Sequence, residues 1–205
     1  EKAGVLPSQE WKRAALNQVW YPGETISAVI GQGFFTATPL QLAHATSQIA
    51  KKGHGYKPHV LLATEDRLSS EKTAFTNQAF GPIELRRPVH WNEITHAMEL
   101  VVHGQRGTAR RIGEGVTYRI AGKTGTSQVA GLKQDEEAPD MEDVIRKLRD
   151  HALFVSFAPA DKPEIAVAVL VEHGGSGSGA AAPVARKVLD AWLVDRVNST
   201  TQENP

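Results

Sequence analysis

The chain has 205 residues, of which 40% are hydrophobic, and this composition provides the core of one domain or of a large part of one. Lys and Arg number 23, as do Asp and Glu, so the formal net charge is zero, which disfavours a nucleic-acid-binding protein with its usual basic excess. The absence of cysteine excludes disulfides and thiolate metal sites without indicating a compartment. No apolar run approaches the roughly 18 residues needed to span a bilayer.

The first predicted elements are irregular chain and one helix. Residues 1–25 are rich in Pro, Gly and Trp and predict an irregular segment. A helix is predicted behind Thr38 as cap, with Pro39 at its first position and a stop at Gly53. Its apolar residues, Leu40 among them, predict a buried stripe.

A strand and a second helix follow. Residues 60–63 predict a short strand, and the polar stretch after it predicts a surface excursion. Apolar residues at positions i, i+3, i+4, i+7 and i+8 then predict a helix that is capped by Asn92 and ends at Gly104. These residues are Ile94, Ala97, Met98, Val101 and Val102.

The last third of the chain predicts a sheet. An alternating run at 116–132 predicts one strand, and residues 151–159 and 164–174 predict two more, joined by a hairpin-length turn. A short amphipathic helix capped by Asp140 is predicted before this hairpin, and Pro183 opens a final helix. The order of elements along the chain is helices first, then three antiparallel strands, then a final helix. This order predicts an α+β (mixed α/β) fold whose antiparallel sheet is covered by helices.

The stretch "RIAGKTGTSQV", residues 119–129, carries the candidate chemistry. A Walker A phosphate loop is excluded, because its first glycine would fall at Thr117 and no helix is predicted after the run. A strand with one exposed lysine and no ligand is one remaining interpretation. The other is a ligand-binding strand edge, since small residues from Ala121 to Ser127 let a ligand backbone lie alongside. A cation, hydroxyls and free N–H groups there suit a carboxylate and a tetrahedral oxyanion.

The Lys-Thr-Gly run on a sheet-edge strand resembles the third motif of serine D,D-transpeptidases and β-lactamases. The resemblance extends to "WYPGETISAVIGQGFFTATPLQLAHATSQIAKKGHGYKPHVL", "LRDHALFVSFAPADKPEIAVAVLVEHGG" and "AAAPVARKVLDAWL". These segments look like the C-terminal half of a class B penicillin-binding protein, nearest to the elongation-specific type of Gram-negative rods. Nearly the whole chain is covered, and residues 64–82 are the least similar. The resemblance implies a penicillin-binding/β-lactamase-like transpeptidase fold, incomplete in residues 1–205.

The resemblance also implies roles for five residues of this run. Lys123 would help to set the electrostatics of the site and pair with the hydroxyls of the first two motifs. Thr124 and Thr126 would hydrogen-bond the carboxylate of a stem peptide or a β-lactam, and the backbone N–H of Thr126 would supply half of the oxyanion hole. Gly125 would keep the strand flat, and Ser127 would belong to the same substrate-binding run.

The nucleophile that such a site needs is not evident in the sequence. The single S-x-x-K match, Ser69 to Lys72, lies in a polar, poorly helical stretch without apolar neighbours to desolvate the lysine. In the family the nucleophile also precedes the Gly-Gln-Gly segment, here residues 31–33. No S-x-N occurs, and the chain begins without Met in a loop-like segment. We therefore expect residues 1–205 to be a C-terminal portion that is not independently stable, with the nucleophile in the missing N-terminal half.

Other residues invite weaker interpretations. The eight histidines show no H-x-x-x-H or H-E-x-x-H spacing, so no metal site is expected. His151 and His173 stand at strand ends, where they either approach the site edge or are simply solvated. Phe34 and Phe35 are predicted to be core, and the Arg-rich stretch 106–115 is either a solvated loop or a surface for acidic peptidoglycan or a partner.

The resemblance implies a peptidoglycan D,D-transpeptidase of cell-wall elongation that works through a serine acyl-enzyme and is a target of β-lactams. It implies no cofactor and no nucleic acid. Its implied partners are stem peptides and elongation-complex membrane proteins, including a glycan polymerase. The implied location is the periplasmic face of the bacterial inner membrane, with an anchor upstream. The alternative is a catalytically silent penicillin-binding-like module for binding or sensing.

Overall fold

The computed structural model describes residues 2–128 and 149–195, which contain five α-helices and seven strands. The helices are α1 Gln9–Leu16, α2 Pro22–Val29, α3 Pro39–Ala50, α4 Val89–His103 and α5 Ala182–Asp190. The strands are β1 Gly55–Tyr56, β2 Ala63–Glu65, β3 Lys72–Ala74, β4 Ala79–Phe80, β5 Ala121–Ser127, β6 His151–Ala158 and β7 Ile165–Val171. The helix predicted behind Asp140 lies outside the described residues.

An antiparallel sheet in the order β5-β6-β7 organises the molecule. The prediction of a hairpin between the last two strands is confirmed, since Ala158 stands opposite Ile165 and Ala152 opposite Val171. Of the strand predicted at 116–132, Ala121–Ser127 form β5, residues 116–120 are not in a strand, and residues 129–132 lie outside the described residues. β6 is the central strand, which leaves β5 at one edge of this sheet.

Helices cover both faces of the sheet, so the predicted α+β architecture is confirmed. On one face, Phe154 and Val167 pack with Ala185 and Leu189 of α5. On the other face, Phe157 packs with α3 and α4, through Ile49, Ala50 and Met98. Almost all residues of β6 are apolar, because the side chains on both faces of this central strand are buried or partly buried. None of the helices in the described ranges has the length and hydropathy to cross a membrane.

The N-terminal segment differs from its prediction. Residues 1–25 were predicted to be irregular, but they contain α1 and the start of α2. Ser8 caps α1 by accepting a hydrogen bond from a first-turn N–H, and Pro22 occupies the first turn of α2, where a missing N–H costs nothing. Lys12, only 2% exposed, joins the two helices through a 2.5 Å contact with Glu24. Short helices held by one tertiary ion pair leave little periodic signal in the sequence.

α3 begins and ends as predicted, but its predicted stripe is only partly buried: Ile49 and Ala50 pack against the core, whereas Ala45 is exposed. Thr38 caps the helix, and Gly53 adopts a φ of +91° just beyond it. Leu40 is 50% exposed, and the one fully buried side chain is Thr46, whose hydroxyl donates to the carbonyl of Leu42. The helix packs on the sheet through its C-terminal end, so its N-terminal half borders open space.

The N-terminus of α4 lies before the predicted start of the helix. The helix begins at Val89 behind Pro88, whose φ of −57° already suits a helix, rather than behind Asn92. It ends at Gly104 as predicted, and Met98 and Val102 are its buried residues.

The strand predicted at 60–63 was also misplaced. The strand is Ala63–Glu65, which pairs with Lys72–Ala74 in a surface hairpin. Val60 and Leu62 before it are exposed, because no further layer of described structure covers them. The polar excursion predicted around this hairpin is confirmed as surface.

Candidate functional site

The predicted site residues all lie together on β5, along an open cleft of about 700 Å³. Residues 123–128 form one wall of this cleft. Residues 30–33 and 35–37 form the opposite wall together with Pro39 and Leu42 of α3. Leu153 and Leu170 of the neighbouring strands line the cleft next to β5. The sheet edge therefore faces a space large enough for a peptide or a small ligand.

The polar groups of β5 are accessible from this cleft. Lys123, Thr126 and Ser127 are exposed, and Thr124 and Gly125 are half-buried. The Lys123 ammonium donates to the carbonyl oxygen of Thr124 at 2.6 Å, so the cation is held along its own strand. A cation and two threonine hydroxyls on one short segment provide donors for an anion.

Two glycines meet backbone to backbone beneath this segment. A Cβ added at Gly177, in the turn before α5, would stand 2.7 Å from the carbonyl oxygen of Gly125 and 2.5 Å from that of Leu153. A side chain there would displace β5, so Gly177 lets the turn support the strand closely. The sequence "GGSGSGAAA", residues 174–182, is rich in small residues, which allow two backbones to approach closely. It does not indicate which strand this turn contacts.

The start of β5 is fastened to the end of α4. The backbone N–H of Ile120 donates to His103 Nε2 at 2.9 Å, which requires the imidazole to be neutral. Burial, and then the nearby Arg119 guanidinium, lower the pKa of His103 below its usual value of 6.5. Arg119 itself donates to the Glu99 carboxylate from two nitrogens, at 2.8 and 3.0 Å. No sequence motif indicated these contacts.

A further hydroxyl, that of Thr108, reaches the site from the turn after α4. Thr108 Oγ1 lies 3.3 Å from Thr124 Oγ1. This turn belongs to the Arg-rich stretch that was interpreted as a solvated loop or a partner surface, and nothing in its sequence pointed to β5. The tertiary structure alone brings Thr108 to the site.

A glycine turn, residues 31–33, lies on the opposite wall of the cleft. Gly31 and Gly33 have φ values of +74° and +71°, in the left-handed region that favours glycine. Phe35 lines the cleft rather than the core. Phe34 is 41% exposed, with its ring 5.4 Å from that of Trp11, so the core prediction for it was wrong.

Ser69 and Lys72 do not have the geometry of a helical S-x-x-K pair. Lys72 is the first residue of β3, and Ser70 before it has a φ of +56°. The Lys72 ammonium lies 3.4 Å from the Glu65 carboxylate, and the Ser69 hydroxyl donates to Asp66 at 3.1 Å. Both residues belong to the exposed hairpin and are absent from the cleft lining.

The two strand-end histidines contact each other beside β5. His151 stands opposite Ser127 in the sheet register, and its ring centroid lies 4.8 Å from that of His173. The backbone N–H of His173 donates to His151 Nδ1 at 3.0 Å, so this pair closes the end of the sheet next to the site. Within residues 2–128 and 149–195, no three His, Asp or Glu side chains converge as a metal site.

Comparison with known proteins agrees with this arrangement. Residues 1–190 match the penicillin binding protein transpeptidase domain. The peptidoglycan D,D-transpeptidase MrdA of Acinetobacter baumannii is 45% identical over 197 residues, which are 96% of this chain and 28% of that relative. The chain thus spans less than a third of the length of the curated relatives it matches first.

Two solved structures have the same fold. A crystal structure of Pseudomonas aeruginosa PBP2 in complex with WCK 5153 superimposes with a TM-score of 0.76 and 46% identity, covering 95% of this chain and 39% of that one. A complex between PBP2 and MreC from Helicobacter pylori superimposes with a TM-score of 0.74 and 29% identity, covering 94% of this chain and 31% of that one. The chain therefore belongs to the penicillin-binding protein transpeptidase domain family.

Proposed function

We propose that residues 1–205 form the C-terminal portion of a peptidoglycan D,D-transpeptidase domain, which cross-links stem peptides in cell-wall elongation through a serine acyl-enzyme and is acylated by β-lactams. The observation that carries this proposal is the edge strand β5, which presents an ammonium and two hydroxyls to an open cleft. The relatives named D,D-transpeptidases support the reaction type.

The strand would act on the substrate in two ways. An extended stem peptide or a β-lactam would lie along the edge of β5, and its carboxylate would accept hydrogen bonds from Thr124 and Thr126. Lys123 would add positive potential and pair with hydroxyls of the first two motifs. Gly125, which has no side chain, would let the ligand approach the strand, and Ser127 would extend the binding run.

The backbone of β5 would also stabilise the reaction intermediate. The serine oxygen attacks the peptide or lactam carbonyl, and the tetrahedral oxyanion would accept a hydrogen bond from the Thr126 backbone N–H. One such donor typically contributes about 3 kcal/mol to transition-state stabilisation. Collapse of the intermediate breaks the C–N bond and passes the serine proton to the leaving amine, which departs from a peptide and stays tethered in an opened β-lactam. With a peptide substrate, the amine of a second stem peptide then attacks the acyl carbon and displaces the serine oxygen. The proposed chemistry uses protein groups without a metal or an organic cofactor.

The remaining parts of the proposal concern the complete polypeptide. The nucleophile and its base would come from S-x-x-K and S-x-N motifs in the N-terminal half of the domain. An anchor upstream would hold the domain at the periplasmic face of the inner membrane, beside elongation-complex proteins including a glycan polymerase. The similarity to a PBP2 that forms a complex with MreC supports an assembly with other proteins.

The proposal predicts that Thr126→Val, made in the complete polypeptide, slows acylation by a fluorescent penicillin about tenfold to hundredfold, as expected for a lost hydrogen bond to an anion. Thr126 is exposed, so the fold should be unaffected. Lys123→Ala should slow acylation to a similar or greater extent. Lys72→Ala is the matched lysine control, and its acylation rate should equal that of the wild type because Lys72 lies in the distant hairpin.

Unchanged acylation in Thr126→Val would remove the carboxylate-binding role. A complete polypeptide that binds β-lactams reversibly and forms no covalent adduct would instead support the silent binding module.

A further inference from the structure

We propose that Thr108 is a positioning residue for Thr124: its hydroxyl donates to Thr124 Oγ1 and thereby directs the Thr124 proton to the carboxylate of a bound stem peptide or β-lactam. The inference rests on the proposed function, in which Thr124 binds that carboxylate. The two hydroxyl oxygens are 3.3 Å apart and come from different elements, the turn after α4 and β5.

The direction of this hydrogen bond follows from the ligand. A carboxylate only accepts hydrogen bonds, so Thr124 must use its one hydroxyl proton to bind it. Thr124 Oγ1 then remains only an acceptor towards Thr108, and Thr108 must be the donor. Hydrogen bonds in such a chain polarise one another, so the outer hydroxyl strengthens the inner one.

Thr108 can do this because its turn is held firmly on α4. The N–H of Ala109 donates to the carbonyl of Val101 at 3.0 Å, and Ala109 is buried. A Cβ on Gly107 would stand 2.4 Å from that Val101 carbonyl oxygen, so the chain packs directly on the end of the helix. The bond between His103 and Ile120 fixes the same helix end to β5. The Thr108 hydroxyl is thus placed before any ligand arrives.

No other described group holds the Thr124 hydroxyl. The Lys123 ammonium donates to the backbone carbonyl of Thr124 and not to its side chain. Within residues 2–128 and 149–195, Thr108 is therefore the one hydrogen-bond partner of Thr124 Oγ1. The separation exceeds the 2.7–2.8 Å of an ideal hydroxyl pair, so the expected effect is several-fold rather than hundredfold.

The test is a double-mutant cycle in the complete polypeptide, measured as the second-order rate of acylation by a fluorescent penicillin. Thr108→Val, which keeps the shape and removes the hydroxyl, should slow acylation about fivefold, the ratio expected for one neutral hydrogen bond. Thr108→Ser should remain within about twofold of wild type. Thr108→Val combined with Thr124→Val should be no slower than Thr124→Val alone, because the two hydroxyls act as one chain.

A carboxylate-esterified penicillin separates positioning from a general structural effect. The ester carries no anion for Thr124 to bind, so Thr108→Val and wild type should react with it at the same rate. A structural defect would slow both substrates.

Three results would overturn the inference: unchanged acylation in Thr108→Val, additive effects in the double variant, or equal slowing on the ester. Unchanged acylation in Thr124→Val would remove the carboxylate role of Thr124 and with it the premise of this inference, whereas a wild-type polypeptide that forms no covalent adduct would overturn the proposed function. Slowing in Thr124→Val together with unchanged acylation in Thr108→Val would overturn this inference alone.

Discussion

Gly177 and Gly125 approach each other so closely that the backbone of one supports the backbone of the other. A Cβ on Gly177 would lie well inside van der Waals contact with two carbonyl oxygens, one of them in β5. Backbone atoms cannot rotate away as a long side chain can, so the strand itself would have to shift.

Gly177→Ala, in the complete polypeptide, should lower the free energy of unfolding by about 1–3 kcal/mol, the usual cost of overpacking. It should also slow acylation, because the displaced segment carries the proposed oxyanion donor. Gly179→Ala is the matched control, since a Cβ there meets only the Ser176 side chain at an ordinary 3.6 Å. Denaturant unfolding and penicillin labelling measure the two effects, and equal behaviour of the variants would contradict the supporting role of Gly177.

The residue types in the sequence predicted one wall of the candidate site, but they did not predict the residues that support this wall. Lys123 to Ser127 were named from their chemistry on a strand edge, and the structure places them on one cleft. The sequence did not predict the roles of Thr108 and Gly177. Thr108 lies 16 positions from Thr124, which it contacts, and Gly177 lies 52 positions from Gly125, against which it packs. Contacts across such separations depend on how the elements pack.

At the scale of elements, α4 and β5 are joined by a hydrogen bond that depends on pH. His103 accepts from the Ile120 N–H only while its ring is neutral, and its pKa is lowered mainly by burial. Since the folded state has the lower pKa, the unfolded state binds more protons in the window below about pH 6.5. This contribution to stability is present above that value and is lost as the pH falls through the folded pKa.

The free energy of unfolding of the complete polypeptide should therefore decrease between about pH 8 and about pH 5.5, in part through His103. His103→Gln, which can still accept from an N–H and does not titrate, should flatten this dependence. His96→Gln changes an exposed histidine of the same helix, and this variant should keep the pH dependence of the wild type. Denaturant melts at several pH values provide the measurement, and equal pH profiles for wild type and His103→Gln would refute the assignment.

Elements with strong local signals were predicted well, and marginal ones were not. The Thr38 cap and the Gly104 stop are local backbone preferences, so they could be taken from the sequence. α1 and α2 are eight residues each and depend on the buried Lys12–Glu24 contact, which short-range patterns do not contain.

At the scale of the molecule, the sheet is well covered while large apolar side chains elsewhere are not. The sheet core buries Phe154, Phe157 and Leu189 completely. In contrast, Ile26 and Val29 of α2 are 71% and 80% exposed. Exposed apolar area of this kind contributes nothing to folding free energy, which supports the prediction that residues 1–205 are not independently stable.

Two measurements on the isolated 205-residue chain test this prediction. A urea melt should lack a cooperative transition with a stability above about 5 kcal/mol. Incubation with a labelled penicillin should leave no covalent adduct, since Ser69 and Lys72 lie in an exposed hairpin without the geometry of a nucleophile and its base. The complete polypeptide is the positive control for labelling. A stable adduct on Ser69 would reverse this interpretation, and a cooperative melt would show that the described core suffices.

Local periodicity and side-chain type in the sequence predicted the α+β class, the hairpin of the last two strands and the position of Lys123 to Ser127 on a strand edge. The groups that hold these residues in place became evident from the tertiary structure. Thr108, His103 and the 177 turn reach β5 through packing between distant segments, and the side chains left exposed on α2 follow from the same packing. Such contacts are set by the whole chain, and no short stretch of sequence encodes them.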